Sequence, residues 1–161
     1  MNKKIVKPDY NRCILSISSS IMKKYKVKSN YNTLPELDEI LENNYRNIIF
    51  LILDCLGTNI MKNNLKEDSI LRSNLITEVT SVFPPTTAAA TPAFHSGLSP
   101  FENGWIGWMP YFKEYNKMIE LFSGKDFYTG EQIIELPEKS CLKYKTIYEK
   151  ICNTNTSIYD I

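Results

Sequence analysis

Asp54 and Thr87 are the two residues whose types and settings could do chemistry together. The aspartate closes an apolar run at residues 47–54, NIIFLILD, and the threonine lies in SVFPPTTAAATPAFHSG, directly after a Pro84-Pro85 corner. In open α/β sheets, ligands sit beyond the carboxyl ends of the strands, which is where Asp54 stands if its run is a strand. A hydroxyl at a helix start has free N–H groups and the positive end of the helix dipole around it, so phosphate or another anion is favoured there. The plainer reading of Thr87 is a cap only, because Thr is a preferred residue at helix starts.

The elements that would hold this pair follow from patterning. Residues 76–83 set Ile76, Glu78, Thr80 and Val82 against Thr77, Val79, Ser81 and Phe83, which suits an extended strand. Pro84 and Pro85 end it. Thr86 and Thr87 are cap residues ahead of Ala88, Ala89 and Ala90, and Gly97 supplies the stop. Pro92 should kink this helix or remove one hydrogen bond. Thr91 could cap with Pro92 in the first position, but that leaves only residues 92–96, so the start is placed at Thr87. Six consecutive apolar residues at 48–53 read as a parallel strand buried on both faces in the centre of a sheet. Cys55, Leu56 and Gly57 make a turn, and residues 58–65 form a crossover helix long enough for a right-handed βαβ unit. Two neighbouring parallel strands then deliver Asp54 and Thr87 to one edge. The expected class is α/β, with a mainly parallel central sheet flanked by helices.

Around this core, residues 12–25 predict an amphipathic helix with Ile14, Ile17, Ile21 and Met22 on its apolar face. Residues 34–41 predict a second, short helix facing inward through Leu37, Ile40 and Leu41. Residues 105–112 and 117–122 read as two strands of an antiparallel excursion. Residues 126–139 read as loop, and residues 140–151 as a closing helix with Leu142, Ile147, Tyr148 and Ile151 inward. After Cys152 the chain turns β-like. The organisation is a single α/β domain over 1–161, or the N-terminal part of one: a helical lead-in at 1–45, a core with the threonine motif at 46–108, and the excursion and closing helix at 109–161.

Composition narrows the function classes. In 161 residues, 43% are hydrophobic and 23% charged, with a net charge of +1, so no electrostatic footprint points to nucleic acid or an anionic membrane. Cys13, Cys55, Cys141 and Cys152 show no C-x-x-C spacing and read as four buried thiols in a reducing compartment. The first residues are charged where a signal peptide is apolar, and the run at 48–53 is too short to span a bilayer, giving a cytoplasmic expectation. His95 lies eight residues beyond Thr87, about 12 Å along a helix, too far to share an ion with it, and reads as a packing residue.

NIIFLILDCLG and SVFPPTTAAATPAFHSGLSPFENGWIGW together resemble the start of the alkaline phosphatase superfamily, in its type I phosphodiesterase/nucleotide pyrophosphatase branch. The match covers residues 47–108. The resemblance implies an alkaline-phosphatase-like fold of which this chain holds a part. It makes Asp54 a metal ligand and Thr87 both nucleophile and metal ligand at two divalent ions, zinc or else manganese, with the N–H groups of Ala88 and Ala89 holding phosphate. Thr86 is the substitute nucleophile. The substrate implied is a small phosphate ester or nucleotide. Cys55 stands where the family has Gly, Asn103 where it has His, and Trp108 where the nucleotide pyrophosphatases carry a phosphate-contacting Asn. Phe83 and Phe94 read as core, and Trp108 as pocket wall. The family completes its metal sites with Asp and His residues from its C-terminal half. Here Asp126 and Asp160 are the only downstream aspartates, and neither lies in a D-x-x-x-H pattern. The remaining ligands are therefore expected from a C-terminal half or a second chain. The alternative is a non-catalytic truncated remnant acting as an anion-binding or interaction module.

Overall fold

Serines line the best-packed helix of the protein. The computed structural model describes residues 6–133 and 144–152. Helix α1 (Ile14–Lys24) packs against α2 (Pro35–Glu42) and against α5 (Thr87–Ser96). Its buried residues are Ile14, Leu15, Ser16, Ser18, Ser19, Ser20 and Met22, so the expected stripe through Ile17 and Ile21 is corrected: these two are only half-buried. The small serines occupy the interface, and their hydroxyls are satisfied there, as buried polar groups must be. Ser18 donates to the Phe94 carbonyl at 3.0 Å, and Ser20 accepts the Leu34 N–H at 2.9 Å. A core of Cys13, Ile14, Leu15, Val82 and Ala93 results, edged by Tyr31, Val79, Ala90 and Phe94.

Helix α2 starts with Pro35 in its first turn and buries Leu41. Helix α5 runs unbroken through Pro92 and ends at Gly97, whose φ of +66° is the left-handed stop that the sequence indicated. A Cβ at Gly97 would stand 2.8 Å from the Met22 methyl, so the close approach of α1 also needs this glycine. A closing helix, α7 (Ile147–Cys152), seats Ile147 and Ile151 against α1 and α5. Residues 134–143 and 153–161, with the predicted first turn of that helix, Leu142, Cys141, Asp160 and the β-like end, lie outside the described residues.

The mainly parallel central sheet is not found. The described residues hold seven helices and one small sheet of three antiparallel strands in the order β1 (Tyr111–Phe112), β2 (Lys117–Glu120), β3 (Lys125–Asp126). Residues 47–53 form no helix or strand and join no ladder with another described residue. Ile49 and Leu51 are 89% and 72% exposed, the reverse of a doubly covered strand. Residues 76–83 make one parallel bridge, Thr80 with Cys13, through a Thr80 N–H to Arg12 carbonyl bond and an Ile14 N–H to Thr80 carbonyl bond. An apolar run states a demand for cover, and a ladder also requires a partner at the right height. Thr80 finds that partner in the lead-in to α1. The helix expected at 58–65 is present as α3 (Thr58–Asn64) and is followed by a short helix, α4 (Ile70–Ser73), but among the described residues no parallel strands flank them, so the expected βαβ crossover is not formed.

The antiparallel excursion is present, with Tyr111 opposite Met118 and Ile119 opposite Asp126. Asp126 belongs to β3 rather than to a loop. It is 5% exposed, takes Lys117 Nζ at 2.9 Å, and accepts the N–H groups of Tyr128 and Thr129 at 2.9 and 3.0 Å. The Lys117 bond first, and then these N–H groups, hold its carboxyl down from 3.8 to about 2. Because the folded value is depressed, the stabilisation is complete above the ordinary value of 3.8 and is lost as pH falls through about 2. The urea midpoint should therefore fall across that window, and Asp126→Asn should flatten the dependence. An equal slope in the variant would show that other carboxylates carry it.

Candidate functional site

Two segments outside the helices and the small sheet bring the pair together. Residues 47–53 end at Asp54, and Cys55 turns the chain with a φ of +60° while donating its N–H to Asp54 Oδ1 at 2.9 Å. Residues 76–83 end at a cis Phe83–Pro84 peptide, and Thr86 then sits in extended geometry as the N-cap of α5. Thr87, the first helical residue, donates its hydroxyl to both Asp54 oxygens, at 3.3 Å to Oδ2 and 3.4 Å to Oδ1. Asp54 and Thr87 are thus neighbours although no strand ladder joins their segments.

These distances are long for a hydroxyl–carboxylate bond, which is ordinarily about 2.5–3.0 Å. They match a different arrangement. Two oxygens each about 2.1 Å from one tetrahedral ion lie about 3.4 Å apart. The Thr87–Asp54 oxygen separations are of that size. Among the described residues, no group of three His, Cys, Asp or Glu side chains could hold an ion. His95 packs edge-on to Tyr148, with ring centroids 5.8 Å apart.

Thr86 does not cap α5 with its side chain. Its hydroxyl accepts the Trp108 indole N–H at 3.0 Å, while its carbonyl takes the N–H groups of Ala89 and Ala90 at 3.0 and 2.8 Å. The N–H of Ala89 is therefore committed inside the helix. Ala88 is fully buried beneath the pair. Trp108 is joined to the site through Thr86, a contact across 22 positions that no local pattern signals. Phe122 packs beside Trp108, with centroids 5.0 Å apart, and no local pattern selects it. Phe94 is at the core edge and stacks edge-on with Phe50, but Phe83 is exposed rather than core. The four-buried-thiols expectation is likewise corrected. Cys13 is buried, which pushes its thiol pKa up, whereas Cys55 and Cys152 are exposed.

Cys55 offers a direct test of the turn beside Asp54. An L-residue at positive φ costs about 1–2 kcal/mol, part of which glycine returns as extra freedom of the unfolded chain. Cys55 is exposed and loses no packing, so Cys55→Gly should stabilise by about 1 kcal/mol, read as a higher urea midpoint at unchanged slope. A lower midpoint would contradict the strain.

Comparison of the chain with protein-family models, with curated proteins and with solved structures finds no match. No helix among the described residues is long and apolar enough to cross a membrane.

Proposed function

We propose that the protein takes part in metal-dependent hydrolysis of phosphate esters, phosphodiester or nucleotide pyrophosphate bonds, through Thr87, with this chain supplying part of the site. The observation that carries the reading is the Thr87 hydroxyl held 3.3 and 3.4 Å from the two Asp54 oxygens at the start of α5. The motifs around the two residues support it through their resemblance to the phosphodiesterase/nucleotide pyrophosphatase branch of the alkaline phosphatase superfamily.

Asp54 and Thr87 would hold a divalent ion, zinc or manganese. Such an ion, together with a second one held by ligands from a C-terminal half or another chain, would supply a lowered hydroxyl pKa and offset charge on the phosphate. Thr87 gives its hydroxyl proton to water, its oxygen attacks phosphorus in line, and the ester oxygen leaves with the bond electrons and takes a proton from water. Water then cleaves the threonyl phosphoester and restores the hydroxyl. Asp54 keeps the Thr87 oxygen aimed, and the helix start favours the anion. The setting is the cytoplasm, where free thiols such as Cys55 persist.

The test is turnover of a bis-aryl phosphate by protein isolated natively from its own cells, with zinc or manganese added and then chelated. Metal-dependent release of the phenol supports the reading. Absence of turnover with both metals overturns it in favour of a non-catalytic anion-binding or interaction module. Exposed Ile49 and Leu51 favour that second reading, since exposed apolar surface marks contact sites.

A further inference from the structure

The run KKYKVK at residues 23–28 crowds lysines around the end of α1. The helix closes with the Lys26 N–H on the Lys23 carbonyl and the Val27 N–H on the Met22 carbonyl, both at 2.9 Å. Such a closure ordinarily passes through a left-handed glycine or asparagine. Here the left-handed residue is Lys26, with a φ of +59°. Glycine would be less strained there but would bring no charge. The connector beyond it borders a hollow of about 320 Å³, whose lining includes Ser19, Lys23, Lys26, Lys28 and Ser29.

This wall is rich in donors and short of acceptors. Lys23 gives one ammonium proton to Asp38 Oδ2 at 2.6 Å and has two more to give. Lys26 and Lys28 make no ion pair with a described residue. The hydroxyls of Ser19 and Ser29 stand 2.7 Å apart, and Ser29 also accepts the Tyr31 N–H at 3.2 Å. Two hydroxyls carry two protons, and the bond between them uses one. Neither donates to another described group, so one O–H is left over in the wall, although Ser19 is wholly buried. A ligand made of acceptors fits such a lining. A phosphoryl group brings about two negative charges and three acceptor oxygens at neutral pH, whereas a carboxylate brings one charge and two oxygens.

We infer that the hollow at the end of α1 binds the phosphoryl group of a small anion, held by Lys23, Lys26 and Lys28 and by the spare hydroxyl of the Ser19–Ser29 pair. The site is separate from Asp54 and Thr87. None of these five residues bonds to either, and binding here needs neither a metal ion nor turnover.

Calorimetric titration of the full chain with pyrophosphate, in the presence of a chelator, tests this. Pyrophosphate should bind at least about tenfold more tightly than acetate, the worth of one charge-assisted hydrogen bond. Lys26→Gly should weaken pyrophosphate binding by about three- to tenfold, yet raise the urea midpoint, because glycine relieves the positive φ. Lys28→Gln should weaken it by a similar factor and Ser29→Ala by a smaller one, whereas Lys66→Gln, outside the hollow, should change nothing. Sedimentation with phosphatidylcholine vesicles, with and without phosphatidate, separates the sources of the phosphoryl group. Pyrophosphate binding without sedimentation assigns a soluble phosphorylated compound, and phosphatidate-dependent sedimentation in addition assigns a lipid headgroup as well. No pyrophosphate binding, equal affinity for acetate, binding undiminished in both Lys26→Gly and Lys28→Gln, or an equal loss in Lys66→Gln overturns the site.

Discussion

Thr87→Ala should lower phosphodiester turnover by at least about a thousandfold, the scale on which removal of a covalent nucleophile is felt. The loss should be in kcat, because the side chain forms a bond to phosphorus in the reaction and contributes little to holding the ester beforehand. Thr87→Ser, which restores a hydroxyl on the first helical residue, should recover a measurable part of the rate. Folding should be little affected. Thr87 is not the N-cap, and its one side-chain contact is the long pair of bonds to Asp54. Retention of full turnover in Thr87→Ala, with loss in Thr86→Ala, would move the nucleophile one residue back. Thr86 is the less suitable of the two, because its hydroxyl already accepts the Trp108 indole N–H.

Leu15→Ala should destabilise the fold by about 2–5 kcal/mol, the range for emptying a fully buried leucine site. Leu15 is wholly buried in the core with Cys13, Ile14, Val82 and Ala93. Ser16 and Ser18, which follow it on α1, are committed to hydrogen bonds, Ser16 accepting the Cys13 N–H and Ser18 donating to the Phe94 carbonyl. Against a typical total of about 5–15 kcal/mol, such a loss brings the protein close to unfolding near room temperature. Urea denaturation reads it as a lowered midpoint at unchanged slope. A loss below about 1 kcal/mol would show that the interface of α1 with α5 relaxes around the cavity. Because this interface seats the helix that begins at Thr87, the same variant should also depress turnover as its folded fraction falls.

Local chemistry explains which elements could be read from residues alone. Helix α5 runs between Thr86 and Gly97 because cap residues, alanines and a left-handed glycine act within a few residues of one another. Pro35 and the leucines of α2, and the aromatic and β-branched residues of the antiparallel excursion, are legible for the same reason. Asp54 and Thr87 are in contact, but the two neighbouring parallel strands that were to deliver them to one sheet edge are not found among the described residues. What failed depended on partners far along the chain. The run at 48–53 reads as a buried central strand, but no described strand lies beside it. The inward face of α1 differs from the apolar stripe because serine is polar by type, whereas here Ser18 finds an acceptor on α5 and Ser20 a donor just before α2. The link from Trp108 to Thr86 and the neighbouring Phe122 depend on how the excursion folds back, and no spacing rule encodes that.

Acid quenching of the natively isolated protein during turnover of an aryl phosphodiester, followed by peptide mass spectrometry, tests the central claim most directly. A phosphoryl ester on Thr87, present with zinc or manganese and missing in Thr87→Ala, is the expected result. Turnover that proceeds with Thr87 unmodified, or with the adduct on another side chain, would contradict the account.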